Sequence, residues 1–164
     1  MNITVRKGYK EDIPAVLGLV KELAAYEKAP NDVMVTVEDM ERDGFGDDPI
    51  FSFFVAEAGE KVVGMALYYI KYSTWKGRCV FLEDIIVTEN FRRYKIGKQL
   101  FEAVVLAAMK MKARRLEWQV LDWNTPAIKF YEKYDAQFLK EWLSCRLTEE
   151  QIEKIASQVS VNKG

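Results

Sequence analysis

The stretch Val80–Leu106, VFLEDIIVTENFRRYKIGKQLFEAVVL, decides the fold of this chain. Its first part, Val80–Val87, is short, apolar and rich in branched residues, which is typical of a buried strand. Residues 88–95 are mostly polar or basic. From Gly97 onwards apolar side chains recur at the spacing of one helix face, at Leu100, Phe101, Val104 and Ala108. The stretch therefore predicts a buried strand, a basic loop and a helix in direct succession.

Three cations, Arg92, Arg93 and Lys95, lie just before this predicted helix. A helix N-terminus has unpaired N–H groups and the positive end of the helix dipole, so it binds phosphate well. The simplest interpretation is a pyrophosphate-binding loop. The alternative is a solvated charge cluster on a surface turn, because short basic runs are common. The position between a buried strand and a helix favours binding.

Length and composition predict one globular domain spanning residues 1–164. Hydrophobic residues make up 49% of the chain and charged residues 30%, and the length suffices for a core. The net charge of −1 favours no nucleic-acid partner, and no apolar run reaches membrane-spanning length. The chain starts in a strand-like run without a signal peptide. Cys79 and Cys145 form no CxxC pair, so we expect a reduced, cytoplasmic setting.

The chain contains no histidine, which restricts its chemistry more than any other feature of its composition. Catalytic arrangements that pair Ser or Cys with His are excluded, as are zinc sites built on His. Two cysteines cannot form a four-thiolate site, and we expect no metal. Acid–base chemistry must therefore use carboxylates, Tyr, Cys or Lys.

The remaining sequence alternates helix and strand patterns. Predicted strands cover residues 2–6, 51–57, 61–72, 80–87, 115–120 and 137–147. Predicted helices cover residues 12–28, a short segment from the Thr36–Asp39 capping box to Gly44, the segment from Gly97, residues 124–133, and a segment after the Thr148–Gln151 capping box. In the helix at 124–133, Pro126 suits the first position and Thr125 the N-cap.

This order predicts an α/β (α+β) fold with a twisted, mixed, mostly antiparallel sheet and helices on both faces. The strands at 51–57 and 61–72 should form an antiparallel hairpin. Only the strand–helix–strand unit from Val80 to Val120 requires a parallel crossover, which we expect to be right-handed.

Two adjacent carboxylates, Glu83 and Asp84, interrupt the apolar strand. Because neighbouring strand residues point to opposite faces, we expect one carboxylate on each face of the sheet. A buried carboxylate is costly unless it is paired or useful. The pair could accept a hydrogen bond from a neighbouring loop, or one member could be a base with a raised pKa.

Two further groups of residues are candidates for a site. Asn124, Ala127 and Tyr131 can line one side of the short helix. Its aromatic residues could instead belong to the core, which is the better explanation for Phe130, whereas for Tyr131 both explanations remain open. The second group combines aromatic and acidic residues near predicted helix and strand ends: Tyr26, Glu27, Asp32, Tyr72 and Trp75. Such residues suit a cationic amine, whereas solvated surface charge is the better explanation for Asp32 alone.

Five blocks in order give the chain a specific resemblance to a known family. They are VKELAAYEK (Val20–Lys28), DGFGDDP (Asp43–Pro49), YSTWKGR (Tyr72–Arg78), FLEDIIV (Phe81–Val87) and VLDWNTPAIKFYEK (Val120–Lys133). The chain resembles the GNAT superfamily of acetyl-CoA-dependent N-acetyltransferases, and within it the spermidine/spermine and thialysine branch. YSTWKGR and LDWN resemble the thialysine-type members most, since polyamine members have an acidic residue in place of Ser73.

The chain departs from this family at several glycine positions. In the pyrophosphate motif R/Q-x-x-G-x-G/A, Arg92 and Gly97 match, whereas Lys95 replaces the first glycine. Arg93 also stands where close relatives have glycine, and Asp135 replaces a glycine common after the Tyr-containing helix. Glycines let a backbone approach phosphates closely, so their loss bears on cofactor binding.

The resemblance implies a role for each candidate. The backbone of Ile85, Ile86 and Val87 would pair with the pantetheine arm of acetyl-CoA. The pyrophosphate would lie against Arg92, Arg93, Tyr94, Lys95, Ile96, Gly97 and Lys98. Asn124 and Ala127 would contact the cofactor, and Tyr131 would act as general acid at its sulfur. Glu83 would be the water-mediated general base. The amine would contact Tyr26, Glu27, Tyr72, Trp75 and Glu83.

The function that follows is direct transfer of acetyl from acetyl-CoA to a primary amine of a small molecule. The expected substrate is a thialysine- or lysine-like amine, and a polyamine is the second choice. We expect the transfer to proceed without a covalent enzyme intermediate. Acetylation of a protein lysine or N-terminus is one alternative. A catalytically weak CoA-binding sensor is another, suggested by the glycines lost at 93 and 95. The family also leads us to expect a homodimer.

Overall fold

The computed structural model describes residues 2–161, and it divides the chain into two units with the boundary after Gln119. The strands of the first unit are β1 (Ile3–Lys7), β2 (Ser52–Ala58), β3 (Lys61–Ser73), β4 (Gly77–Val87) and β5 (Leu116–Glu117). Its helices are α1 (Ile13–Tyr26), α2 (Val37–Phe45) and α3 (Ile96–Lys110), with short 3₁₀ segments at Lys10–Asp12 and Glu89–Tyr94. The second unit contains α4 (Thr125–Glu132) and α5 (Glu149–Val161). That residues 1–164 form one domain stays a prediction.

The five strands form one sheet in the order β1-β2-β3-β4-β5. The first three pairings are antiparallel, including the predicted β2–β3 hairpin. β4 and β5 run parallel, with Val80 opposite Leu116 and Phe81 opposite Glu117. The predicted mixed, mostly antiparallel sheet with one parallel crossover is therefore confirmed. β5 is much shorter than the predicted strand at 115–120.

Helices cover both faces of this sheet. On one face α1 and α2 bury a cluster that includes Ile13, Val16 and Met40 together with Met65 of β3. At Gly64 the side-chain position lies on the opposite face, where a Cβ would meet Leu100 of α3 at 3.1 Å. Gly64 therefore lets α3 approach the sheet closely.

Local signals predicted some helix ends and missed others. In the capping box of α2, Thr36 and Asp39 exchange hydrogen bonds of 3.0 and 3.1 Å, as predicted. The end of α2 at Gly44 was wrong, because the helix continues to Phe45 and Gly46 caps it. A glycine is needed at position 44 because of packing and not to end the helix, since a Cβ there would meet the Phe51 ring at 2.6 Å.

The second unit differs most from the prediction. The capping box of α5 is present, with Thr148 and Gln151 bonded reciprocally. The N-cap of α4 is Asn124 and not Thr125. Residues 137–147 form no strand and are exposed. Their apolar residues suit a strand, but a strand also needs a partner ladder, which a sequence pattern cannot supply.

Among the helices of residues 2–161, none combines the length and apolar character that a membrane crossing needs.

Candidate active site

A β-bulge lies in the middle of β4, at the two carboxylates. Leu67 of β3 pairs with Asp84, whereas the next residue, Tyr68, pairs with Leu82. Glu83 is therefore the extra residue of β4, with no partner of its own in the β3–β4 ladder. Bulges bend a strand and redirect side chains, and they are frequent beside active sites.

The bulge places both carboxylates on the same face of the sheet. Tyr69 stacks on Phe81, with ring centroids 5.4 Å apart, and its hydroxyl donates to Glu83 Oε2 at 3.1 Å. Asp84 pairs with Leu67, which shares a face with Tyr69 two residues further along β3. The predicted placement on opposite faces is wrong, because one inserted residue cancels the alternation of a regular strand.

The environment of these carboxylates favours protonation of Asp84. Burial, together with the negative charges of Glu83 and Glu27, raises the pKa of Asp84 to about 6. Burial also raises the pKa of Glu27, the residue that ends α1. For the Tyr69 phenol, burial and then Glu83 raise the pKa to about 12, so it stays a hydrogen-bond donor. The carboxyl group with a raised pKa near neutrality is therefore Asp84.

The edge of β4 beyond the bulge is open. Thr88 N–H donates to Val63 O at 2.9 Å, and hydrogen-bonded pairs recur at every second residue. The backbone groups of Ile85 and Val87 therefore point away from β3. Within residues 2–161, β5 pairs with that edge only at Val80 and Phe81. An extended ligand could add to the edge at Ile85–Val87 as a strand would.

The basic loop contains a left-handed residue where α3 begins. Lys95 adopts φ 57° and ψ 21°, and α3 starts at Ile96. This is the conformation that glycine adopts most readily, and Lys95 occupies the first glycine position of the motif. The N–H groups in the first turn of α3 therefore come immediately after a residue whose backbone conformation is strained. Arg93, Tyr94 and Lys98 are exposed around this turn, whereas Ile96 is buried.

Arg92, by contrast, is engaged with other parts of the first unit. Its Nε–H donates to Val87 O at 3.0 Å, and its guanidinium lies 5.2 Å from the centroid of the Tyr26 ring. Its Nη2 is 4.0 Å from Glu22 Oε1, an atom that also accepts the Glu89 N–H at 3.1 Å. Arg92 thus joins β4, α1 and the loop.

The predicted acceptor residues occupy two places in the first unit. Tyr26 and Glu27 lie at the end of α1, where Glu27 is close enough to affect the pKa of Asp84. Tyr72 and Trp75 lie at the β3–β4 turn and are 75% and 80% exposed. Tyr72 pairs with Arg78, so the turn lies about 16 Å along β4 from Glu83 at ~3.3 Å per residue. Asp32 is exposed.

In the second unit, α4 carries the other predicted residues. Asn124 Oδ1 accepts the Ala127 N–H at 3.4 Å, which caps the helix. Tyr131 is buried, at 5% exposure, and its ring packs edge-on against Phe130 with centroids 5.3 Å apart. Phe130, which the sequence favoured as the core aromatic, is only partly buried. The cofactor and catalytic roles of these residues stay predictions.

Sequence reasoning missed Tyr69 and Glu22. Tyr69 and Glu83 are 14 residues apart, and only the pairing register of β3 with β4 brings them together. Glu22 lies within one of the quoted sequence blocks, but no local pattern distinguishes it from a solvated helix residue. Its contacts with Glu89 and Arg92 span about 70 positions of sequence.

Comparisons with known proteins identify the family of this chain. Residues 20–135 match the model of the acetyltransferase (GNAT) family. The chain is 36% identical to a thialysine N-epsilon-acetyltransferase of Mus musculus, over 94% of this chain and 97% of that protein. It is 38% identical to an L-ornithine N5-acetyltransferase of Arabidopsis thaliana, over 75% of this chain and 51% of that protein.

The fold is also that of solved structures. An integron cassette protein from the mobile metagenome of V. cholerae superposes with a TM-score of 0.78 at 24% identity, covering 95% of this chain and 98% of that one. This similarity shows the fold, and the family match over residues 20–135 shows the family. The chain belongs to the GNAT family of acetyltransferases.

Proposed function

We propose that this chain transfers the acetyl group of acetyl-CoA directly to a primary amine of a small molecule, a thialysine- or lysine-like amine before a polyamine. The similarity to thialysine acetyltransferases along nearly the whole chain supports this substrate class. The observation that carries the proposal is the bulge at Glu83, which places two carboxylates beside the open edge of β4.

The first unit fits acetyl-CoA in two places. The outward N–H and C=O of Ile85 and the outward N–H of Val87 can hydrogen-bond the amides of the pantetheine arm, while the Val87 carbonyl accepts from Arg92. The N–H groups at the start of α3 can bind the diphosphate, and Arg93, Lys95 and Lys98 add positive charge. In the second unit, Asn124 and Ala127 are the proposed cofactor contacts.

The amine must lose a proton before it attacks, because an alkylammonium has a pKa of about 10.4. We assign this step to Glu83, acting through water. Tyr69 holds the Glu83 carboxylate in place, and Asp84 and Glu27 add negative charge that attracts the cationic amine. Attack on the thioester creates an oxyanion, which the outward N–H groups of β4 can stabilise.

The leaving thiolate must then gain a proton. We assign this proton to the phenol of Tyr131, on α4. Neither cysteine needs to act as a nucleophile, since the amine attacks the thioester itself and no covalent intermediate forms on the protein.

An amine panel tests the proposal. Purified protein is incubated with acetyl-CoA and with thialysine, lysine, ornithine, spermidine or a lysine-containing peptide, and thiol release is followed. The proposal is supported if thiol release is fastest with the free diamino acids and slower with the polyamine. Release with the peptide alone would indicate a protein acetyltransferase, and CoA binding without any release would indicate a sensor.

The base assignment has its own test. Glu83→Gln should lower kcat at neutral pH by about 100-fold, the usual contribution of a general base, and change CoA affinity far less. Glu60→Gln, in the β2–β3 turn, is the matched control. An unchanged pH–rate profile in Glu83→Gln would show that Glu83 is not the base, and an unchanged rate in Tyr131→Phe would assign the acid to water.

We further propose a homodimer in a reducing, cytoplasmic setting. The cysteines of the described chain are free thiols, Cys79 buried and Cys145 exposed, which suits such a setting. The exposed apolar residues of the second unit supply a surface for a second copy.

A further inference from the structure

Arg92 is the one charged residue of the loop that follows the family motif, and the motif implies a contact with the diphosphate. Its contacts instead lie within the protein. The Nε–H donates to the carbonyl of Val87, and the guanidinium carbon lies over the Tyr26 ring, 5.2 Å from its centroid. The hydrogen bond and the ring contact therefore orient this side chain within the protein.

Glu22 completes the arrangement from α1. Its Oε1 accepts the backbone N–H of Glu89 at 3.1 Å and lies 4.0 Å from Arg92 Nη2. Hydrogen bonds to a charged carboxylate are stronger than neutral ones, so Glu22 fixes the start of the loop to α1. The same helix ends one turn later with Tyr26 and Glu27, the proposed amine contacts.

We propose that Arg92 is a positioning residue that, with Glu22, joins the cofactor loop to the amine-binding end of α1. The inference rests on the proposed function and deepens it, because it makes cofactor binding and amine placement depend on each other. Arg92 keeps the Val87 carbonyl in place, and so aligns the β4 edge, while its guanidinium orients Tyr26. Arg93 and Lys95 then supply the loop's charge for the diphosphate.

Four variants test this assignment: Arg92→Gln, Glu22→Gln, the double variant and Arg93→Gln. CoA affinity is measured by calorimetry at two salt concentrations, and KM for the amine is measured at saturating acetyl-CoA. We expect Arg92→Gln to raise the amine KM about 10-fold while the salt dependence of CoA binding is unchanged. Arg93→Gln, the matched control for loss of charge, should reduce that salt dependence and leave the amine KM unchanged.

Glu22→Gln distinguishes the two roles by the sign of its effect. If Arg92 positions, Glu22→Gln should raise the amine KM several-fold, and the double variant should be no worse than Arg92→Gln alone, as expected for one unit. If Arg92 is instead a diphosphate ligand, removing Glu22 frees a cation. Tighter CoA binding in Glu22→Gln, or a reduced salt dependence in Arg92→Gln, would overturn the proposal.

Amide hydrogen exchange provides a readout that does not depend on turnover. Arg92→Gln and Glu22→Gln should each speed exchange of the Glu89 N–H about 10-fold or more in the protein without ligand, whereas Arg93→Gln should not. If no amine is acetylated, the proposed function fails and this measurement still decides the role of Arg92. Unchanged exchange in both variants would refute it.

Discussion

At the scale of single residues, Lys95 and Asp135 share one unusual backbone conformation. Lys95 has φ 57° and Asp135 has φ 54°, and both occupy positions where the family resemblance implies glycine. A residue with a Cβ pays roughly 1–2 kcal/mol for the left-handed conformation. The backbone conformation alone would therefore favour glycine at these two positions.

Replacing Lys95 by Gly should raise the free energy of unfolding by about 0.5–1 kcal/mol, because relief of strain outweighs the added entropy of the unfolded chain. Urea denaturation measures the change. Lys98→Gly is the matched control, since it removes the same charge from the first turn of α3 and should destabilise by a similar amount. A loss of stability in both variants would contradict the strain argument.

Asp84 should make stability depend on pH. Its pKa is raised from 3.8 in the unfolded chain to about 6 in the folded protein, so its stabilising contribution is fully present below pH ~4 and is lost as pH rises through about 6. Asp84→Asn should therefore raise the melting temperature at pH 7.5, by an amount equivalent to on the order of 1–3 kcal/mol.

The same substitution should have little effect on stability at pH 4, where both residues are largely uncharged in the folded protein. Thermal melts of both proteins between pH 4 and 8 measure the difference. Asp47→Asn, on an exposed loop, is the control and should leave the pH dependence unchanged. Parallel melting curves for Asp84→Asn and the unmodified protein would show that Asp84 ionises normally.

At the scale of elements, Asn124 caps the N-terminus of α4. Asn124 Oδ1 accepts the Ala127 N–H, and Pro126 within the first turn has no N–H to satisfy. Since Tyr131 lies on this helix, the cap also orders the proposed general acid.

Asn124→Ala should destabilise α4 by about 1 kcal/mol, whereas Asn124→Asp retains an acceptor and should be nearly neutral. Faster amide exchange of Ile128 and Lys129 measures the effect. Thr125→Ala is a second comparison, because Thr125 is the first helical residue and not the cap. A larger effect in Thr125→Ala than in Asn124→Ala would restore the cap predicted from sequence.

At the scale of the whole molecule, several large apolar side chains of the second unit are exposed. On α5, Ile152, Ile155 and Val159 are 54%, 45% and 53% exposed, and their spacing places them on one helix face. In the preceding segment, Leu143 is 85% exposed. The proposed second copy of the chain could bury these side chains.

Ile155→Glu should therefore convert a dimer to monomer at micromolar concentration, as measured by sedimentation velocity. Lys154→Glu changes the charge of the neighbouring residue, off the Ile152–Ile155–Val159 face of the helix, and should leave the dimer intact. A monomer in the unmodified protein, or dissociation in Lys154→Glu alone, would show that this face is not the interface.

The sequence by itself determined the strand, loop and helix at Val80–Leu106, the antiparallel hairpin, the helices on both faces and the capping boxes. Each depends on neighbouring residues through hydrophobic period, turn chemistry or local hydrogen bonds. The family blocks added the acetyltransferase assignment. The sequence also named the candidate base, Glu83, and the candidate acid, Tyr131, but not the residues that surround them.

Only the tertiary structure decided where those side chains lie. The bulge that puts Glu83 and Asp84 on one face, the hydrogen bond from Tyr69, and the contacts of Arg92 with Glu22 and Tyr26 all join residues far apart in sequence. A strand alternates with a period of two, so a single inserted residue reverses the face of every side chain beyond it. That insertion depends on pairing with a second strand, and no pattern within β4 alone reveals it.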